Sequence, residues 1–368
     1  MDRTVELRSL ISPAKTVRCG DGDYPIMSMT MHDGLVFQDE KFKKVIASKD
    51  TSKYKVVYRN QLVISFPIDE GVLAAQRITD AGIVSPAYGI WDIDQSKILP
   101  EFLEYALRCN RAIQYYKANL RGSTARRRSL PTPTLLAFTV PLPDIEGQNK
   151  ILERIHRVSS LIEKRKAQIM LLDELIKARF VEMFGDLADP ACKWEKCKLV
   201  DVCVNSDDIK CGPFGAQLGK DEYTEEGVAV WEIPQINSEF RTLPTHFVTE
   251  KKAEELDAYS IIPGDIAMSR KGNVGRCAVF PSSFENGIIH SDVLRIRLNE
   301  MKALPEFMMR QLHYSGDIQH QIELVSSGAI MAGINVTKLK QILIYLPPMN
   351  LQSEFVEFVA QVAKSKVA

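Results

Sequence analysis

Residues 151–184 constrain the fold of this chain more than any other stretch. Their apolar side chains recur at alternating steps of four and three, which is the 3.5-residue period of a coiled-coil seam. The seam positions are Ile151, Ile155, Val158, Ile162, Arg165, Ile169, Leu172, Ile176, Arg179 and Met183. Ten charged residues lie between them, and no proline or glycine interrupts the run before Gly185. The pattern predicts a spacer helix of about 50 Å that needs a partner helix.

The composition is that of a folded protein long enough for two or three domains. The 47 basic and 47 acidic residues balance, which argues against nucleic-acid binding by overall charge but leaves local patches open. Four of the seven cysteines lie between residues 192 and 211 without a CxxC pair, so we expect free thiols and no zinc. With no long apolar run and no signal-peptide pattern, we expect a cytosolic protein.

The predicted helix separates two arms that repeat each other at an offset of about 204 residues. ILPEFLEYALR (residues 98–108) matches ALPEFMMRQLH (303–313), and PLPDIEGQNKILERI (141–155) matches YLPPMNLQSEFVEFV (345–359). Pro143 then aligns with Pro347, and Gln148 aligns with Gln352. We therefore predict two arm domains at 1–143 and 187–348, a central helix at 144–186 and a shortened C-terminal helix at 349–368.

The repeat also predicts how the two helices cover each other. By the offset, Ile169, Leu172, Ile176 and Met183 have no counterparts before the sequence ends. The second helix is therefore expected to cover only the first half of the central one, and another subunit is expected to cover the distal seam.

Each arm is predicted to be mixed α/β, with short strands followed by two helices. The expected strands are residues 55–58, 62–66, 261–268, 277–280 and 293–298, with further strands at 138–142 and 342–346 leading into Leu-Pro. The expected helices are residues 100–111, 112–120, 305–314 and 316–325.

Catalytic motifs are missing from the sequence. GAQLGKD (residues 215–221) is too short for a P-loop, and Asp221 stands where a hydroxyl would bind Mg²⁺. No GxGxxG follows a strand, and GxSxG, HExxH and the NPPY type of tetrapeptide do not occur. The sequence therefore favours a binding protein over a self-contained enzyme such as a methyltransferase.

Basic and glycine-rich loops are the best binding candidates. In the first arm, RGSTARRRSLPT (residues 121–132) gathers Arg121, Arg126, Arg127 and Arg128, which suits phosphate contact or reading of a guanine edge. In the second arm, SRKGNVGR (269–276) offers Ser269, Arg270, Lys271, Asn273 and Arg276 on a tight turn, and CGPFGAQLGK (211–220) offers Phe214, Gln217 and Lys220. The plain alternative is that these are solvated surface loops.

Several of these segments together resemble the specificity (S) subunits of type I restriction–modification systems. LPDIEGQNKILERI (residues 142–155) and LIEKRKAQIMLLDELIKARFVEMFGD (161–186) resemble the central region of that family. GPFGAQL, YTEEGVAVWEI, IPGDIAMSRKGNVGR and GIIHSDVLRIRL resemble a target recognition domain, which adds His290 to the DNA-binding candidates. SSGAIMAGINVTKLKQILIYLPPMNLQSEF (326–355) resembles the entry into the second helix, whereas the first arm lacks the GPFG and SRxGxxGR patterns.

The resemblance implies a bacterial or archaeal DNA-recognition subunit without catalytic activity. Each arm would read half of a bipartite, asymmetric target, and the two long helices would form an antiparallel coiled coil. Two methyltransferase (M) subunits carrying S-adenosylmethionine would methylate adenine N6, and restriction (R) subunits using ATP and Mg²⁺ would cleave. The subunit expected to cover the distal seam would be M, a second S chain or a separately encoded fragment. The alternative that we leave open is a truncated or silent member that serves only as a subunit scaffold.

Overall fold

A computed structural model describes residues 4–31, 33–41, 50–121, 129–187, 189, 192–326 and 333–367. The chain forms two compact units, Met1–Lys164 and Arg165–Ala368, and the boundary between them falls inside the longest helix. Both units mix helices with small sheets. The predicted mixed α/β class is therefore confirmed.

Unit 1 is built on a four-stranded antiparallel sheet in the order β2-β9-β6-β7, supplemented by the pairs β3–β4, β5–β8 and β1–β10. Its strands are β1 (Thr4–Glu6), β2 (Ile11–Pro13), β3 (Met27–Thr30), β4 (Gly34–Phe37), β5 (Lys55–Tyr58), β6 (Leu62–Ile64), β7 (Leu73–Ala75), β8 (Ala81–Val84), β9 (Gly89–Ile93) and β10 (Thr139–Pro141). Its short helices are α1 (Gln38–Lys41), α2 (Pro100–Arg108), α3 (Asn110–Asn119) and α4 (Thr132–Leu136). The largest core cluster joins the sheet to α2 and α3 through Trp91, Phe102 and Tyr116.

The predicted central helix is present as α5 (Ile145–Phe184). Gly185 follows it with a φ of +78°, the left-handed conformation of a helix C-cap. Residues 145–164 of α5 belong to unit 1, where Leu152 is buried in the main core cluster. Residues 165–184 belong to unit 2.

Unit 2 contains two four-stranded sheets, in the orders β12-β19-β16-β17 and β14-β13-β18-β15, and the pair β11–β20. Its strands are β11 (Glu195–Lys198), β12 (Ile209–Cys211), β13 (Val228–Trp231), β14 (His246–Val248), β15 (Ser260–Ile261), β16 (Ile266–Ser269), β17 (Cys277–Val279), β18 (Gly287–Ile289), β19 (Val293–Ile296) and β20 (Leu343–Leu346). Its remaining helices are α6 (Ile233–Asn237), α7 (Glu250–Glu255), α8 (Pro305–Tyr314), α9 (Gly316–Val325), α10 (Val336–Leu339) and α11 (Met349–Val367).

The sequence repeat is visible as a repeated architecture. The sheet β2-β9-β6-β7 of unit 1 corresponds strand by strand to β12-β19-β16-β17 of unit 2, and β1–β10 corresponds to β11–β20. In both units a pair of helices beginning at Pro-Glu-Phe follows the sheet. Because the sheet orders agree, the turn after β6 (residues 65–72) and the turn after β16 (residues 270–276) occupy equivalent places.

A buried glutamine fastens the start of a long helix to its arm in each unit. In unit 1, Gln148 Oε1 accepts the Leu99 N–H at 2.8 Å, and its amide nitrogen donates to the carbonyls of Lys97 and Pro143, each at 2.9 Å. The side chains of Gln148 and of the aligned Gln352 are both fully buried. The aligned glutamine therefore marks a hydrogen-bonded joint between arm and helix.

In unit 2, Gln352 makes the equivalent bonds. It accepts the Leu304 N–H at 3.0 Å and donates to the carbonyl of Pro347 at 2.8 Å, with a longer bond of 3.4 Å to that of Lys302. The repeated set of partners confirms the alignment of Gln148 with Gln352.

Helix α11 packs on the second half of α5, which corrects the expectation that it covers the first half. Arg165 donates to the Ser365 and Lys366 carbonyls, whereas Arg179, further along α5, forms an ion pair with Glu354 at 2.7 Å. The two helices therefore run antiparallel within unit 2. Residues aligned by the repeat are equivalent in sequence and are not packing partners, which is why the offset predicted the wrong half.

The buried face of α5 also differs from the predicted seam. Ile176 is only 1% exposed, and Leu172 and Met183 pack on the same core, so the expected uncovered distal seam is wrong. The centre of this face is instead Phe180 and Phe184. Both rings pack against Phe307 of α8 and Phe355 of α11, with centroid distances of 4.9–6.0 Å.

Apolar side chains that remain exposed on α5 lie mostly on other faces or nearer its start. On residues 145–164 these are Ile151, Val158, Leu161 and Ile162, and on residues 165–184 they are Met170, Leu171, Leu175 and Val181. Three of these, Ile151, Val158 and Ile162, belong to the predicted seam, whereas Leu152 provides the buried contact in unit 1.

Candidate nucleic-acid interface

Two loops that lie far apart in the sequence of unit 2 meet through an aromatic ring and a guanidinium group. The first is the glycine-rich loop after β12, where Phe214 is exposed. The second is the turn between β16 and β17, which begins at Arg270. The guanidinium carbon of Arg270 lies 4.9 Å from the centroid of the Phe214 ring, a cation–π contact. The structure thus joins two segments that the sequence marked as separate candidates.

Lys271 follows Arg270 on the same turn and carries a second positive charge. Lys271 Nζ forms an ion pair with Asp292 Oδ1 at 2.8 Å. Asp292 is fixed in turn by its backbone, because its N–H donates to His290 Nδ1 at 3.2 Å and its carbonyl accepts the Arg270 N–H at 2.8 Å. The predicted residues Arg270, Lys271 and His290 are therefore brought together around Asp292.

The glycine-rich loop is held in shape by Gln217. Its Oε1 accepts both the Phe214 N–H at 3.0 Å and the Tyr259 hydroxyl at 3.1 Å. Gly215 has a φ of +56°, which allows the chain to turn directly after the exposed ring. With its oxygen engaged, Gln217 retains its amide nitrogen as a donor for a ligand, while Lys220 at the end of the loop is exposed.

The other end of the basic turn faces a polar cleft of about 580 Å³ within unit 2. Arg276 forms an ion pair with Glu239 at 3.0 Å, and both residues line this cleft together with Asn273. Burial, reinforced by the positive charges of Arg276 and Arg310, lowers the pKa of His313 to about 4. His313 is consequently neutral near pH 7, and its Nε2 accepts the backbone N–H of Cys277 at 3.1 Å. His313 is therefore a neutral structural residue of this cleft and adds no positive charge of its own.

One predicted DNA contact is wrong for a physical reason. Ser269 is fully buried, so its side chain offers no surface to a ligand. Its backbone instead closes the turn: the Ser269 N–H donates to Arg276 O at 2.7 Å, and its carbonyl accepts the Gly275 N–H at 3.1 Å. Ser269 therefore shapes the turn on which Arg270 and Lys271 lie.

The candidates in unit 1 are less fully described. Arg121 is exposed, and its backbone pairs with Ser129 across the base of the basic loop. Arg126, Arg127 and Arg128 lie outside the described residues. At the place equivalent to the basic turn of unit 2, the turn after β6 carries Phe66, which is 60% exposed, followed by Asp69 and Glu70.

Sequence reasoning missed the partners of the predicted side chains. Asp292, Glu239 and Tyr259 each contact a predicted residue, yet they lie 21, 37 and 42 residues from it in the sequence. Such pairs depend on strand pairing between distant segments, which no local pattern reveals. The available signal was that Asp292 lies two residues after His290 in GIIHSDVLRIRL.

The surface has the chemistry of a nucleic-acid contact. Guanidinium and ammonium groups bind phosphate or the O6 and N7 of guanine, a carboxylate accepts from the N4 amine of cytosine, and an exposed ring stacks or fills a groove. Within the described residues no group of three or more His, Cys, Asp or Glu side chains is arranged to hold a metal ion. None of the helices described has the length and apolar character needed to cross a membrane.

Comparison with known families and structures agrees with this chemistry. Residues 192–368 match the family described as type I restriction modification DNA specificity domain. That match covers β12 to β19 and so includes the whole Phe214–Arg270–Lys271–Asp292 surface.

Two solved structures have a similar fold. One is a chain from a study of complex assembly and conformational transition in the type I R-M system, with a TM-score of 0.55 and 18% identity. The other is the S subunit of a type I restriction–modification system from M. genitalium, with a TM-score of 0.54 and 15% identity. Each alignment covers 99% of this chain and 90% of the other. Residues 192–368 are therefore similar to a type I restriction modification DNA specificity domain, and the chain shares its fold with the two solved chains.

Proposed function

We propose that this chain is the DNA-recognition subunit of a type I restriction–modification complex and that each unit reads one half of a bipartite target. The observation that carries the proposal is the surface formed by Phe214, Arg270, Lys271 and Asp292 in unit 2. This surface combines an aromatic ring, two cations and a carboxylate on loops held by a rigid sheet, and it lies inside the segment that matches a DNA specificity domain.

The target is expected to be asymmetric. The turn after β16 presents Arg270 and Lys271, whereas the equivalent turn after β6 presents Phe66, Asp69 and Glu70. Different side chains at equivalent places read different base edges. In unit 1, phosphate contact would come from Arg121 and from the arginines at 126–128.

The chain itself is proposed to be non-catalytic. Two M subunits carrying S-adenosylmethionine would methylate adenine N6, and R subunits using ATP and Mg²⁺ would cleave DNA, all in the cytoplasm of a bacterium or archaeon. The exposed apolar residues of α5, among them Ile151, Val158 and Ile162, are candidates for contact with another subunit. Base flipping by M costs a few kcal/mol, which DNA binding by this chain would help to offset.

The experiment that tests the proposal is a methylome of cells that express this chain with its M subunits, compared with cells that lack the chain. We expect N6-methyladenine at one split, asymmetric motif. A chain that carries Arg270→Ala and Lys271→Ala should lose or relax one half of that motif and keep the other. Absence of any new motif, with both proteins folded and associated, would contradict the proposed function.

A further inference from the structure

Every cation of the basic turn in unit 2 already has a partner inside the protein. Lys271 pairs with Asp292 at 2.8 Å, and Arg276 pairs with Glu239 at 3.0 Å. Arg270 lies over the Phe214 ring and donates its Nε to the Ile334 carbonyl at 3.3 Å. The side chains with the greatest attraction for phosphate are thus held by carboxylates, a carbonyl and a ring.

The two carboxylate pairs have the character of exchangeable contacts. Side-chain exposures are 39% for Lys271 and 29% for Asp292, and 35% for Arg276 and 47% for Glu239. The Asp292 Oδ1 that meets Lys271 is shielded from water, but the Lys271 and Arg276 side chains are each more than one-third exposed. A competing phosphate can therefore reach both cations and displace the carboxylate, since partly exposed ion pairs are weak.

A structural ion pair in the same unit provides the contrast. Arg297 binds Asp265 through two bonds of 2.8 and 2.7 Å, and the carboxylate is almost completely buried. Such a pair stays closed because breaking it would leave a buried charge without a partner.

We propose that Asp292 and Glu239 are internal competitors of the DNA backbone, which hold Lys271 and Arg276 in the free protein and so limit binding to DNA of the wrong sequence. This inference rests on the proposed recognition of DNA by unit 2. Both carboxylates also repel phosphate directly, so an approaching duplex gains these cations only where other contacts hold it in register. A repulsive group of this kind raises specificity by weakening the wrong complex.

The dependence of DNA affinity on salt concentration should change by a predictable amount when a competing carboxylate is removed. Each additional Lys or Arg contact with a phosphate of B-DNA steepens the fall of log K with log salt by about 0.9. Removing the Asp292 carboxylate should free Lys271 for one such contact. Asp292→Asn should therefore bind duplex DNA of random sequence about three- to fivefold more tightly at low salt, with a salt slope steeper by about 0.9. Glu239→Gln should behave in the same way through Arg276.

The test is fluorescence anisotropy of the full chain with a labelled random-sequence duplex across a series of KCl concentrations. Asp207→Asn is the matched control, since it removes the same charge from an exposed ion pair, that of Asp207 with Lys340 at 3.5 Å, outside the turn. The double variant Asp292→Asn/Lys271→Gln should lose the gain, because the freed cation is gone. Thermal unfolding of each variant verifies that the fold is intact.

The possible results distinguish failure of the competitor role from failure of the proposed DNA recognition. Tighter binding with a steeper slope in Asp292→Asn, reversed by Lys271→Gln and absent in Asp207→Asn, supports the competitor role. An unchanged slope in a wild-type protein that binds DNA overturns that role and leaves the proposed function standing. A gain equal to that of Asp207→Asn also overturns it, since it reflects net charge alone. If neither the wild type nor any variant binds DNA, both proposals fail.

Discussion

Replacing Gln148 by alanine should selectively destabilise unit 1. The side chain is fully buried and makes three hydrogen bonds of 2.8–2.9 Å, which join the first turn of α5 to the segment before α2 and to Pro143. Each buried hydrogen bond contributes about 1 kcal/mol net, so the three together predict a loss of about 3 kcal/mol. The loss is large against the 5–15 kcal/mol by which domains are typically stable.

The matched control is Gln168→Ala, the same substitution on the same helix. Gln168 is exposed and accepts a single bond, from Arg165 at 2.7 Å. An exposed substitution of this kind should change the free energy of unfolding by no more than about 0.5 kcal/mol. Comparing the two variants removes the effect of helix propensity, since both replace Gln by Ala in the same helix.

Urea unfolding combined with hydrogen exchange of individual peptides is the suitable assay, since a chain with two units need not unfold in one step. Gln148→Ala should lower the protection of α2 and of the sheet around β9, while peptides of β16 and β19 keep theirs. Gln352→Ala should do the reverse, with a slightly smaller loss because its bond to the Lys302 carbonyl is 3.4 Å long. If Gln148→Ala and Gln168→Ala have equal stability, the reasoning about the buried joint is wrong.

Three further changes test the core, the interface and the titration of unit 2. Phe180→Ala removes a ring that is 2% exposed and should lower the free energy of unfolding in urea by about 3–5 kcal/mol. Leu171 is 64% exposed on the same helix, so the control Leu171→Ala should change that free energy by no more than about 0.5 kcal/mol. Phe214→Ala removes the ring beneath Arg270 and should weaken binding to the cognate duplex about three- to fivefold in an anisotropy titration. The stability of the protein should not change. An unchanged affinity would exclude the ring from recognition. The pKa of His313 is about 4 in the fold against 6.5 when free, so between these values only the unfolded chain binds the proton. Stability should therefore fall as the pH drops from 6.5 to 4, by about 3 kcal/mol, and His313→Gln should abolish this part of the pH dependence.

Elements that depend on local pattern were predictable. Lys55–Tyr58 is a strand with the expected bounds, and Pro305–Tyr314 and Gly316–Val325 are the expected helices. The signals of the first two are a β-branched run and a proline at a helix start, both of which act within a few residues. Residues 261–268, expected as one strand, are instead β15 and β16 in two different sheets. Pro263 and Gly264, with a φ of +91° at the glycine, break the strand.

The periodic pattern of α5 predicts only part of the face that the helix buries. A heptad identifies a narrow stripe, and that stripe includes the buried Ile176 but not Phe180 or Phe184. These two rings are buried because unit 2 offers α8 and α11 together as a broad apolar surface, and a wide surface accepts residues on either side of the stripe. The position of α8 follows from strand pairing far away in the sequence, so the width of the buried face could not be read from α5 alone.

The two units share what fixes the backbone and differ in what they present to a ligand. Sheet order, the Pro-Glu-Phe helix pair and the glutamine joint recur in both, and all of these are buried or hydrogen-bonded within the unit. The turns at equivalent places carry two carboxylates in one unit and three cations in the other. A scaffold of this kind leaves each turn free to change without loss of the core. We therefore expect that exchanging the turn after β16 alters one half of a DNA target while the other half, read by unit 1, stays the same.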